Sequence, residues 1–452
     1  MIADVETSTG SAHQNRGLES ARHPAAQRSV LLTGWLFSIC FVMAQADKQV
    51  MGLLAIPVQD HFHLTNTELG FLQGGAFAIA YALGGLPIGR LLDTGNRVRI
   101  AAVCVAIWSI ATFGSGLATT FVALLLFRAA TAVAEAGLPP AAFSVFAQSG
   151  DQRSLIRLTS AFMLAPFVGG GLVLLLGGQL LKALAGMHDV PVVGNEHWRA
   201  VFIAVGTPGL ILALLLALLG TEPQRGAARQ RSVLPDTWQV LRTIFVEQPR
   251  LRYYYLATTS FYVVAAALMA WFPAFLVRHF AASTAAAGGY AGLTYLASGV
   301  IGTLAINLLA RIRREVDQRV MMRDFVIAII IIIPLSIAVP FAPQLAVCLI
   351  LYAVYGFASA IIISTMPVPI QVYLPEAMRA RGTAVASLMM SGFAGTAGPI
   401  LVGLLVDRAG FGLGASIAMV CTGAALTAAA FYAAALRHAH RPEAQQQTGD
   451  NR

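Results

Sequence analysis

Between residues 30 and 436 the chain is a succession of apolar runs, each about twenty residues long and separated by polar turns. A helix of that length spans roughly 30 Å, the thickness of a bilayer's hydrocarbon core. Only structures that satisfy every backbone N–H and C=O internally persist in that solvent, and helices do so within one segment. Composition agrees, at 57% hydrophobic and 11% charged residues with a mean hydropathy of +0.71. These observations predict an all-α integral membrane protein and set aside a string of soluble domains.

The runs number twelve. Six fall near residues 30–57, 69–92, 100–117, 121–148, 155–184 and 200–219, and six more near 253–277, 289–310, 324–341, 344–371, 383–406 and 414–436. The expected division is a disordered tail (1–28), a first six-helix half (29–220), a polar linker (221–250), a second half (251–437) and a closing tail (438–452). The first tail lacks the apolar stretch of a signal peptide. Within the linker, DTWQVLRTIFV (236–246) suits a short amphipathic helix on the membrane surface. Placing both tails and the linker in the cytoplasm puts 24 of the 30 Lys and Arg residues on that side. The reverse orientation would invert the usual cytoplasmic excess of positive charge. This distribution accounts for the net charge of +9 without nucleic acid as a partner.

The halves also resemble each other. A shift of 226 residues puts Gly169 on Gly395 and Gly177 on Gly403, and it sets Val354 opposite Arg128 and Ile361 opposite Glu135. Two parallel six-helix repeats are the architecture of a rocking transporter with a site near the midplane.

Four charges lie deep in this hydrocarbon. The fourth span carries Arg128 and Glu135, and the first carries Asp47 and Lys48. Arg128 and Glu135 are close to two turns apart, so they share a face at a separation of roughly 10 Å. Ionisable groups facing lipid cost several kcal/mol, so all four are expected to face a protein interior or wet cavity. They suit either the working centre of a transporter or a static ion-pair network that fixes helix register. A carboxylate can exchange a proton as its hydration and neighbouring charges change, whereas arginine keeps its charge. Asp47 and Glu135 are therefore the proton-coupling candidates, Arg128 the charge partner or substrate ligand, and Lys48 a secondary partner. Gln73, Tyr81, Trp271, Ser364 and Thr365 are candidates to line the cavity.

Other chemistry finds little support. No phosphate-binding GxxxxGK[ST] loop is present, so nucleotide drive has no basis, and no cofactor is expected. His61, His63, His188, His197 and His279 fall in outer loops at spacings too loose for a metal site. The four cysteines stand apart in apolar spans as small hydrophobes. A membrane-embedded enzyme would need a histidine, nucleophile or metal cluster deep in a span. A sensor built on a transporter fold remains compatible with the pattern.

After the second span comes GRLLDTGNRVR (89–99). This resembles the GxLxDRxGR[RK] loop of the major facilitator superfamily, with Thr94 in place of the usual first arginine and Asn96 in place of the second glycine. Gly89, Asp93, Asn96 and Arg97 are then conformational-loop residues. Asp93 is expected to accept hydrogen bonds from a neighbouring helix N-terminus, and the arginines to sit at the anionic membrane surface. The segments 46–62, 67–97 and 127–146 resemble the spinster-like branch of that superfamily, and 374–386 and 393–407 are the best matches in the second half. Asp47, Lys48, Arg128 and Glu135 match that branch's charged pairs in type and spacing, with Lys48 where arginine is usual.

The resemblance implies twelve helices in two halves and a secondary active transporter working by alternating access. It also implies cargo that is amphipathic and lipid-like or an organic anion, moved with protons across a bacterial inner membrane by a monomer among membrane lipids. The alternatives are proton symport of a small polar anion such as a sugar acid, and multidrug-type export.

Overall fold

The computed structural model describes residues 24–148, 152–223, 237–313, 318–366 and 368–439. The expected tails before residue 24 and after residue 439, and the linker residues 224–236, lie outside the described residues.

Among the described residues, eleven helices are long and apolar enough to cross a bilayer. They are spans 1 (Arg28–Leu53), 2 (Asn66–Thr94), 3 (Arg97–Leu117), 4 (Phe121–Phe146), 5 (Arg153–Leu184) and 6 (His197–Leu219) in the first half. Spans 7 (Pro249–Phe280), 8 (Thr284–Ile306), 10 (Leu345–Thr365), 11 (Arg381–Ala409) and 12 (Leu413–His438) lie in the second. The 21-residue helix Gln318–Ala338 stands between spans 8 and 10 as span 9, completing the twelve.

The pairing of these helices repeats. In the first half span 1 packs on spans 5 and 6, span 4 on spans 2 and 3, and span 3 on span 6. Adding six to each number gives the second half: span 7 on 11 and 12, span 10 on 8 and 9, and span 9 on 12. The halves meet along three pairs, 5 with 8, 2 with 11, and 1 with 7. Glycines make these crossings close, because without a Cβ two backbones can touch. A Cβ on Gly74 would stand 2.3 Å from the Gly395 carbonyl of span 11, and one on Gly292 would stand 2.5 Å from the Leu175 nitrogen of span 5.

The structure corrects the register of the repeat. The counterpart of Gly169, which touches the Val42 carbonyl of span 1, is Gly398, which touches the Val263 carbonyl of span 7. Gly395, its partner under the 226-residue shift, has no such contact. Val354 is likewise not the inward counterpart of Arg128. It is 43% exposed on a lateral groove of about 520 Å³ between spans 8 and 10, while its neighbour Tyr355 is buried.

Spans 2 and 11 each contain a π-helical stretch, Phe71–Gly75 and Leu388–Ala394, next to where they cross. Among the described residues, hydrogen bonds join the halves toward the side opposite the chain ends, here called the far side. They run from Gln49 to Met269, from Arg278 to Asn66 and Gln59, and from Asn66 and Thr67 to Asp407. The linker helix Thr237–Arg242, continued by the π-helix Thr243–Glu247, buries Val240 and Ile244 and leaves Trp238 and Val246 exposed. One face therefore docks on the protein, rather than the whole apolar side meeting lipid.

Candidate functional site

Successive residues on a helix point about 100° apart, so adjacent charges face different neighbours. Asp47 and Lys48 accordingly divide the site. Asp47 meets spans 3 and 4. Arg128 Nη1 donates to its Oδ2 at 2.8 Å, Arg128 Nη2 donates to its backbone carbonyl at 3.2 Å, and the Thr112 hydroxyl donates to its Oδ1 at 2.6 Å. Asp47 and Arg128 are both buried, at 1% and 2% exposure.

Lys48 points to another face, between spans 2 and 4. Its Nζ lies 3.6 Å from Glu135 Oε2 and 5.2 and 5.0 Å from the ring centroids of Phe77 and Tyr81. Its side chain is 29% exposed, against 1% for Glu135. Neither Glu135 oxygen accepts a hydrogen bond among the described residues. The four charges thus form two pairs of different character. One is hydrogen-bonded on three sides and sealed, and the other is a looser contact with its cation reaching open space. Lys48 is the direct partner of Glu135, and Arg128 is the partner of Asp47.

Phe77 and Thr112 were not singled out in the sequence. Phe77 stacks between the cations, with Arg128 Cζ 5.7 Å from its ring and Lys48 on the same ring, an attraction between cation and aromatic face. Its spacing of four residues from Tyr81, one helical turn, is the signal that would have found it. Thr112 carries no such signal, because a hydroxyl in an apolar span most often bonds its own helix.

Of the cavity candidates, Gln73 and Tyr81 lie on span 2. Tyr81 flanks Lys48 and is within electrostatic reach of both Glu135 and Tyr262 on span 7. Both amide atoms of Gln73 are buried without a hydrogen-bond partner, in the π-helical stretch. Ser364 and Thr303 share a hydrogen bond at 3.2 Å that joins spans 10 and 8, and the Thr365 hydroxyl returns to the Ile361 carbonyl. Trp271 is corrected. It is fully buried and donates to the Pro399 carbonyl, tying span 7 to span 11 rather than lining a cavity.

The loop residues separate into roles. Asn96 caps span 3 by accepting from the Arg99 backbone N–H at 2.8 Å, a task glycine at this position cannot perform. Arg97 is corrected from a surface residue to a buried one, at 5% exposure. It donates to Glu222, to Ser144 and to the Pro223 carbonyl, so it fastens the end of span 6 to spans 3 and 4. Arg99 and Asp93 are exposed, and a Cβ on Gly89 would meet open space. The far-side His61 contacts Glu196 and Arg199, and no group of metal ligands occurs among the described residues.

Residues 36–399 match the family model of the Major Facilitator Superfamily. An MFS-type efflux pump of Mycolicibacterium smegmatis is 28% identical over 82% of this chain and 82% of its own. Human protein spinster homolog 1 is 30% identical over 58% of this chain, which spans about half (48%) of that protein's length. Among solved structures, a bacterial homolog of the human lysosomal transporter spinster, in an inward-facing and unoccupied conformation, superposes with a TM-score of 0.74 at 25% identity. That match covers 91% of this chain and 97% of the other. The fold, the paired charges and these relatives agree: the chain is a transporter of the Major Facilitator Superfamily and belongs to its spinster-like branch.

Proposed function

We propose that the chain couples an inward proton gradient to the movement of an amphipathic organic anion, with Glu135 as the proton carrier and Lys48 as the anion ligand. The observation that carries this reading is the contrast between the two ion pairs. Asp47 and Arg128 are hydrogen-bonded to each other in a sealed setting, whereas Lys48 lies between a buried carboxylate 3.6 Å away and an open space. When Glu135 takes a proton, the ammonium loses its partner and is free to hold an anionic headgroup. When the anion leaves, Lys48 returns to Glu135 and the proton departs. Proton and anion then bind together, which is symport.

The second half supports an apolar body for the cargo. Span 10 carries no charged residue, and span 7 contributes the half-buried Tyr262. With the arginine-rich loops in the cytoplasm of an inner membrane, closure on the far side corresponds to an inward-facing form. The test is flux into proteoliposomes under an imposed pH gradient, with lysophospholipids beside sugar acids as substrates. Glu135→Gln is expected to lose gradient-driven accumulation while retaining exchange at equilibrium. Accumulation unchanged in Glu135→Gln would refute the assignment. The efflux-pump relative favours a second reading, proton antiport of a cationic amphiphile that competes with the proton for Glu135. Under that reading, substrate would move against the proton in the same assay.

A further inference from the structure

The sequence pattern G-x-L-x-D occurs twice, at Gly89–Asp93 near the end of span 2 and at Gly403–Asp407 near the end of span 11. These two spans run antiparallel and pack against each other across the halves. The end of each therefore lies beside the start of the other. At the far side the consequence is visible. Gly403 lets the backbones touch, since a Cβ there would stand 2.4 Å from the Asn66 carbonyl. One turn further on, Asp407 Oδ1 accepts from the Asn66 side-chain amide at 2.7 Å and from its backbone N–H at 3.3 Å. Its Oδ2 accepts from the Thr67 backbone N–H and hydroxyl, both at 2.7 Å.

The first turn of a helix has backbone N–H groups without intrahelical partners and attracts negative charge. In span 2 these groups are capped in two ways. Thr65 and Glu68 form a capping box from the same half, and Asp407 supplies a second acceptor from the other half. Arg278 of span 7 braces the contact by donating to Asn66 Oδ1 at 2.8 Å and to Gln59 Oε1.

We infer that Asp407 is the far-side latch of the transport cycle: a carboxylate of the second half that holds the halves together by capping the first helical turn of span 2, and releases it when the far side opens. The contact suits reversible use. Asp407 is exposed, so water can take each donor it gives up as the halves part, which keeps release reversible while the closed form retains the bonds' net contribution. The glycine crossing beneath it supplies close packing but no polar direction, so the carboxylate sets which closed register the helices take.

The test uses the full-length transporter in lipid nanodiscs on a cysteine-free background, with spin labels at Gly186→Cys and Gly412→Cys. Both glycines lie in far-side loops, one in each half, with no neighbouring atom within 4 Å of a Cβ. Double electron–electron resonance then reads the far-side distance. Asp407→Ala is expected to raise the ratio of far-side-open to far-side-closed molecules roughly tenfold, the loss of hydrogen bonds to a charged acceptor. Thr67→Val removes one donor from the opposite half with little change in volume, and a smaller shift in the same direction is expected. It also serves if Asp407→Ala does not reach the membrane. A distance distribution unchanged in a folded Asp407→Ala or, failing that, in Thr67→Val would overturn the latch.

Discussion

Lys48 and Asp47 are chain neighbours, yet Lys48 reaches Glu135 only at 3.6 Å while Asp47 holds Arg128 at 2.8 Å with two further hydrogen bonds. Adjacent positions on one helix thus serve a loose contact and a locked one, and the difference sets distinct expectations for their substitution.

Asp47→Asn is expected to act on folding. It leaves Arg128 buried without its counter-charge, a loss of about 3–5 kcal/mol for a buried pair broken on one side. Membrane yield and the melting temperature of purified protein should both fall. Glu135→Gln removes a carboxylate that accepts no hydrogen bond, so its melting temperature should stay close to the parent's. Equal losses of stability in the two variants would contradict the division into locked and loose pairs.

Glycine substitutions should separate the two kinds of crossing. A Cβ at Gly169 would stand 2.0 Å from the Val42 carbonyl inside the first half. Gly169→Ala should therefore cost about 1–3 kcal/mol of stability, as overpacking does. Gly74 meets span 11 of the other half. Gly74→Ala should instead leave each half intact and favour separation on the far side, visible as increased far-side thiol labelling with a near-parental melting temperature.

Arg97 offers a test of the loop. Arg97→Lys keeps the charge but loses the forked contacts to Glu222, Ser144 and Pro223. A drop of about 1–3 kcal/mol is expected, from buried acceptors left unpaired. A thermal-unfolding midpoint equal to the parent's would show that the fastening carries no stability.

Orientation is checked by a membrane-impermeant thiol reagent applied to intact cells on a cysteine-free background. A cysteine at Gly186 should react and one at the exposed Trp238 should not, because the arginine excess places the linker inside. The opposite pattern would reverse the topology and with it the direction assigned to the inward-facing form.

Much of this molecule is local chemistry written along the chain. Apolar runs of bilayer length become helices whatever surrounds them, because hydrocarbon leaves the backbone no other partner. Asp47, Lys48, Arg128 and Glu135 were legible as interior groups for the same reason, since lipid does not tolerate them. Asn96 as a cap needs only its own first turn. The partners were not legible. Which cation meets which carboxylate depends on the rotation of spans 1 and 4 about their axes, and a one-residue change turns a side chain by about 100°. The same sensitivity moved Val354 onto the lateral groove, drew Trp271 into the core and made Gly398 the counterpart of Gly169. Arg97 left the surface because Glu222 lies 125 residues further along the chain, and only folding brings its carboxylate to that turn. The sequence by itself determined the spans and marked the four intramembrane charges as interior groups. The tertiary structure decided whom they meet, because contacts between helices are set by crossing points and axial rotation, which no single helix encodes.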